Sequence, residues 1–226
     1  VSTETAIFQV GHLERAPLGT SYPAIAHHVR RLLLGLPRST EVVLDATGLG
    51  GPVFDIFVGV GISPVGVMIT AGTSQTQEGK FLHVSKMLLI SRVQALLHEG
   101  RLKIQKNLPE ASVLMGELLD YRIQYTAAGH LTFNAREGRH DDLVLALAMA
   151  CYRAAGDGVA YEGLLDYYRR LAAPAGIPSP RYFVGVDLGQ ARDPTAIAVV
   201  RRVDYPSPAE VRDPQFVPDP AAEAAA

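Results

Sequence analysis

An α/β domain on a mainly parallel sheet is predicted by three observations. Short β-branched apolar runs alternate with segments of helical periodicity along most of the chain. Two of those runs, Glu41 to Ala46 and Tyr182 to Val186, are apolar nearly throughout, as strands buried on both faces are. With 48% apolar residues in 226, there is enough hydrophobic side chain to cover both faces of a sheet.

Thr5 to Leu13 alternates loosely and reads as a strand. Thr20 and Ser21 offer caps, with Pro23 in the first turn, for a helix to about Leu36 whose face is Ile25, Val29, Leu32, Leu33 and Leu36. After the strand Glu41 to Ala46, the glycine-rich turn Thr47 to Gly51 leads into a helix from Pro52 to Val60. Val65 to Thr70 is a strand, and Ala71 to Gly79 reads as a polar loop. Val84 to His98 is a periodic helix stopped by Gly100, and Leu102 to Ile104 is a short strand. Glu110 to Tyr125 is expected to be mainly helix, and Leu131 to Asn134 a brief strand after the Ala128-Gly129 turn. His140 to Ala155 is an apolar helix and Tyr161 to Leu171 an amphipathic one. Arg181 to Leu188 and Thr195 to Val203 form a hairpin. The expected division is therefore one folded unit over residues 1–204 and a Pro/Ala-rich linker or tail over 205–226.

Composition excludes several classes. The longest apolar run, Leu143 to Tyr152, is about half of the ~20 residues that a membrane span needs. Val1 to Leu18 lacks the basic start and apolar stretch of a signal peptide, and a single cysteine excludes a disulfide framework. A cytoplasmic protein is the resulting expectation. The net charge of −2 does not announce a nucleic-acid binder, although seventeen of the 21 basic residues are arginine, which grips phosphate with paired donors. Codon bias explains that excess equally well.

Acidic residues at the ends of apolar elements carry the chemistry. Asp187 closes Tyr182-Phe183-Val184-Gly185-Val186, and Asp45 ends Val42-Val43-Leu44. Asp141 and Asp142 open the helix that follows His140, and Asp193 sits in the turn of the C-terminal hairpin. An ionised carboxylate at the edge of a core is costly unless paired, hydrogen-bonded or bound to a metal, and no Lys or Arg lies within the runs before Asp45 and Asp187. Hard divalent ions such as Mg2+ and Mn2+ take such oxygen ligands. Each acid has a plainer reading. Asp141 or Asp142 could cap its helix, Asp45 could cap the helix after the glycine turn, and Asp193 before Pro194 suits an ordinary turn. Asp187 is the hardest to explain away, and the set outweighs its separate alternatives. His140 reads as a surface or capping residue, and Cys151 as part of the core.

Two phosphate-binding motifs are missing. After Gly48 and Gly50 the third glycine of a dinucleotide fingerprint would fall on Val53, and Gly79-Lys80 is followed by Phe81 instead of Ser or Thr.

VGVDLGQARDPTAIAVV (Val184 to Val200), VVLDATGLGGPVFDIF (Val42 to Phe57) and GRHDDLVLALAMA (Gly138 to Ala150) resemble the C-terminal nuclease domain of terminase large subunits from tailed phages and prophages. KFLHVSKMLLISRVQALLHEGRLKI is similar to that family's segment between its second and third acidic motifs, and the resemblance covers most of Thr5 to Val203. It implies an RNase H-like fold and metal-dependent cleavage of double-stranded DNA during genome packaging. The family's acids would map to Asp187, Asp45 and Asp141 or Asp142, with Asp193 matching a further acid. Two ions, Mg2+ or Mn2+, would be held by this set. DNA would be gripped by Arg136, Arg139, Lys80 and Lys86 on the active edge. The implied partners are portal, small terminase subunit and an ATPase domain that this chain does not contain. In the family the strand carrying the first acid comes first, whereas its equivalent here (181–203) is last, so a circularly permuted order is expected. The rivals are that the hairpin begins a second copy or exchanges with another chain. As to activity, VGVDLG also resembles the phosphate loop of actin- and Hsp70-like phosphotransferases, and a non-catalytic packaging module is the third possibility.

Overall fold

The computed structural model describes residues 5–47, 50–120, 122–125, 131–134, 141–156, 180–189 and 193–205. Its elements run β1 (Thr5–Arg15), α1 (Tyr22–Leu34), β2 (Glu41–Asp45), α2 (Gly50–Gly59), β3 (Val65–Thr70), β4 (Gln75–Glu78) and β5 (Phe81–Ser85). They continue with α3 (Lys86–His98), β6 (Leu102–Ile104), α4 (Ala111–Asp120), β7 (Arg122–Tyr125), β8 (Leu131–Asn134), α5 (Asp142–Ala155), β9 (Arg181–Asp187) and β10 (Ala196–Tyr205). Eight strands make one mixed sheet in the order β4-β5-β3-β2-β9-β10-β1-β6, and β7 pairs with β8 as a separate antiparallel ribbon. The α/β architecture expected from the sequence is the one observed.

The hairpin β9–β10, last in the chain, occupies the middle of the sheet. β9 lies parallel to β2 on one side, and β10 lies antiparallel to β1 on the other. Alternation along these strands divides the core into two layers. Val43, Phe183 and Gly185 face one side, where α3, α4 and α5 supply Leu89, Val93, Leu114 and Leu147. Val42, Leu44, Val184 and Val186 face the other, against Ile25 and Val29 of α1 and Phe54 and Phe57 of α2. A register shift between Val10 and His12 breaks the alternation of β1, so that Val10 and Leu13 both face the α5 layer.

The structure corrects the expected boundaries in three places. Within the expected loop Ala71 to Gly79, Gln75–Glu78 instead pairs with Phe81–Ser85 around Gly79, whose φ of 59° suits glycine. Val84 is thereby a buried strand residue, and the helix begins at Lys86 after Ser85, whose Oγ accepts a 3.3 Å bond from the Leu88 amide. The expected helix Glu110 to Tyr125 ends at Asp120, because Arg-Ile-Gln-Tyr alternates with period two and pairs with β8. Tyr205 belongs to β10 and not to the tail. The expected helix Tyr161 to Leu171 and residues 206–226 lie outside the described residues, as do Arg136, Arg139 and His140.

Candidate active site

Asp45 and Asp187 meet because of strand register. The parallel ladder pairs Glu41 with Phe183 and Leu44 with Val186, so the next step sets Asp45 beside Asp187 at the ends of their strands. Parallel neighbours in register point to the same face about 4.8 Å apart, and here it is the α5 face. Asp45 is fixed further by its own turn. Its Oδ1 accepts a 2.8 Å bond from the Thr47 amide, and Thr47 Oγ1 accepts one of 2.8 Å from the Ile69 amide of β3.

Asp141 and Asp142 arrive from above on α5. That helix descends over β9 so closely that a Cβ on Gly185 would sit 1.9 Å from the Ala146 carbonyl oxygen. Asp142 is four residues, just over one helical turn, before Ala146, about 6 Å along the axis. Asp187 is two strand residues beyond Gly185, about 6.6 Å. The two advances are similar, which brings Asp142 near enough for its charge to act on Asp187. Asp187 and Asp142 are only 7% and 6% exposed.

The electrostatics follow from that crowding. Burial pushes the Asp187 carboxyl well above the usual carboxylate range, and the charges of Asp45 and Asp142 push it further. A hydrogen bond to Asp45, which only protonated Asp187 can donate, and the charge of Asp141 act in the same direction. Asp141 Oδ2 is held at 2.7 Å by the ammonium of Lys86, the first residue of α3. As they stand, among the described residues no three carboxylate, imidazole or thiol groups form a closed clasp for one ion. The donor set is nevertheless all oxygen and strongly anionic around a buried carboxyl, which suits a hard divalent cation.

Other expected residues are placed differently. Asp193 is exposed in the turn before β10 and lines a cleft with Pro17, Thr20, Tyr22 and Gly189. Lys80 does not join the acids. Its ammonium lies 3.9 Å from the ring centre of Phe54 and 3.7 Å from Asp55, on the α2 side of the sheet. The apolar ring face attracts it there. Cys151 is fully buried in the α5 layer, as expected.

The alternative by which Asp141 caps its own helix is not what the structure has. Asp141 stands at the N-cap position but makes no side-chain cap bond. Glu117 of α4 instead accepts a 3.1 Å bond from the Val144 amide through Oε2 and a 2.9 Å bond from Arg15 Nη2 through Oε1. Burial pushes its carboxyl up to about 7, with Asp142 and Asp141 adding to the rise while the Val144 amide and Arg15 oppose it. Glu117 went unremarked in the sequence, although Ala111, Leu114 and Glu117 recur every three residues and are the buried stripe of α4. A glutamate on that stripe was the available signal.

Two solved structures of the large terminase nuclease from thermophilic phage G20c, one with bound cobalt and one with bound magnesium, are similar to this chain. Each superposes with a TM-score of 0.50 at 19% identity, over 66% of this chain and 81% and 82% of those chains respectively. The likeness shows the fold: an RNase H-like mixed sheet flanked by helices. No protein-family model matches the chain, and no curated protein does.

Proposed function

We propose that this chain is a metal-dependent endonuclease of the terminase large-subunit type, cutting double-stranded DNA during phage genome packaging. The observation that carries the reading is the pairing of Asp45 with Asp187 at the centre of the sheet, with Asp142 and Asp141 delivered to the same spot by α5. Four carboxylates from three elements, two of them buried, gather there. The fold likeness supports the same class. It also favours a permuted strand order, since β9 and β10 take the central place expected of the strands that open the family's chain.

In this reading Asp187, Asp45 and Asp141 or Asp142 would together hold two divalent ions, Mg2+ or Mn2+. Bound ions supply a water of lowered pKa and neutralise charge on the leaving 3′-oxygen. The chain's own residues prepare that chemistry. Asp187, buried against Asp45 and Asp142, would hold the ions as a carboxylate, the cations offsetting its charge and those of its acidic neighbours. Asp45 keeps its orientation through the Thr47 amide. Asp141 would add its carboxylate to the ions' ligands, and Lys86, 2.7 Å from it, would meet a backbone phosphate. Arg136 and Arg139, just before α5, are the further DNA contacts proposed. Such contacts are sensitive to salt and indifferent to base sequence. An ATPase domain, portal and small subunit complete the proposed machine.

Plasmid cleavage with Mn2+ tests the scheme. Asp187→Ala and Asp45→Ala are each expected to lose cleavage while keeping the circular-dichroism spectrum of the parent. Full activity in either variant removes the scheme.

A further inference from the structure

We infer that Glu117 is the positioning residue of this site, capping α5 from outside so that Asp141 and Asp142 are released for cations; the inference rests on the nuclease reading above. A helix begins with four amides that lack intrahelical partners, and an aspartate at the N-cap position normally accepts from one of them. Asp141 holds that position, and its carboxylate does something else: it is turned to Lys86 at 2.7 Å. The vacated task falls to Glu117, which accepts from Val144, the third residue of the helix, at 3.1 Å. A capping aspartate accepts from the second or third residue, so Glu117 takes over the bond that Asp141 would make.

The glutamate is itself held rigidly. It is 7% exposed and its second oxygen takes the Arg15 guanidinium at 2.9 Å. Arg15 also lies 3.7 Å from Glu110, just before α4. The register shift in β1 turns Leu13, and two residues later Arg15, toward the α5 layer where Glu117 waits. Sheet, α4 and the tip of α5 are thus tied through one carboxylate. Glu117 thus fixes the backbone two residues beyond Asp142 and not a ligand side chain itself; outer residues that orient metal ligands change affinity by about 10- to 100-fold when lost.

In Glu117→Ala the Val144 amide loses its fixed acceptor, so the first turn of α5 loosens and the placement of Asp141 and Asp142 loosens with it. Glu117→Ala is expected to bind Mn2+ at least about tenfold more weakly by calorimetry and to cleave plasmid correspondingly less at matched Mn2+. Glu117→Gln keeps an oxygen for Val144 and is expected to recover most of the affinity. Parental affinity and cleavage in folded Glu117→Ala would overturn the inference, as would equal loss in both variants. If the parent neither binds Mn2+ nor cleaves, the nuclease reading fails by itself. Amide exchange then judges Glu117: faster exchange at Val144 in Glu117→Ala than in Glu117→Gln supports the capping role, and parental exchange in both overturns it.

Discussion

Asp187 is a carboxyl that the fold makes uncomfortable by design of its surroundings. Its value is raised by burial and by Asp45, Asp142 and Asp141. Between the ordinary value of about 3.9 and the raised one, the folded state retains a proton that the unfolded chain has released. Stability therefore falls as pH rises through that window, and the loss is complete above the raised value. Glu117, pushed up to about 7, adds a slope of the same sign from about 4.5 upward. With EDTA present, Asp187→Asn is expected to be more stable than the parent at pH 7 and to lose less Tm between pH 4 and pH 7. Some slope remains because Glu117 is still present. Adding Mn2+ should stabilise the parent and not the variant, by mass action on the folded state. An Asp187→Asn melting curve that follows the parent at every pH would show that the buried carboxyl carries no such burden. At this scale much was legible in advance. Asp45, Asp187, Asp141 and Asp142 each end or begin an apolar run, and the structure collects them. Lys80 was not legible, because its pull toward Phe54 depends on a ring from a different element. Glu117 was missed for a related reason: its partners, Arg15 and Val144, are 102 and 27 residues away in sequence.

The helix α5 and the strand β9 act as one device, and Gly185 is its fulcrum. A side chain there would meet the Ala146 carbonyl oxygen at 1.9 Å and the Ala150 amide at 3.1 Å, both backbone atoms that cannot rotate aside. Gly185→Ala must push the helix off the sheet, and overpacking of even flexible neighbours costs about 1–3 kcal/mol. We expect Gly185→Ala to melt well below the parent and to lose Mn2+ affinity even at temperatures where it remains folded, because Asp142 is carried away from Asp187. Gly116→Ala is the control, since that α4 position has open space and a helical alanine is favoured by about 1 kcal/mol. It should leave both readouts unchanged or raise Tm slightly. Parental Mn2+ affinity in folded Gly185→Ala would dissociate the helix position from the site. Most elements were visible as apolar periodicity, which is a local property. The boundaries that went astray were those decided by pairing. Gln75–Glu78 is too polar to look like a strand until it finds Phe81–Ser85, and Arg122–Tyr125 is too short to stand apart from the preceding helix without β8.

At the scale of the molecule, the order of the chain and the order of the sheet disagree in an informative way. β10 ends at Tyr205 directly opposite Thr5, where β1 begins, across an antiparallel ladder. Two strands in that relation are ordinarily joined by a turn of two to five residues. The other end of the hairpin is also near its predecessor. A Cβ on Gly156, just after α5, would lie 3.6 Å from Arg202, which pairs with Arg181 at the start of β9. The sheet is therefore indifferent to whether the hairpin comes first or last, which is the condition under which permutation is tolerated. A rearranged chain reading residues 180–205, a short glycine-containing turn, then residues 5–179 should fold cooperatively. Its thermal transition is expected to be as sharp as the parent's, with Mn2+ affinity within a few-fold. Closing so short a loop also removes chain entropy from the unfolded state, so Tm should not fall. The measurement discriminates the rival arrangement as well. If the hairpin of one molecule completes the sheet of another, the parent will sediment as a dimer and the rejoined chain as a monomer. A rejoined chain that is unfolded, or that no longer binds the ion, would mean that residues 5–205 are not one permuted unit and that the central place of β9 depends on its own connection to α5.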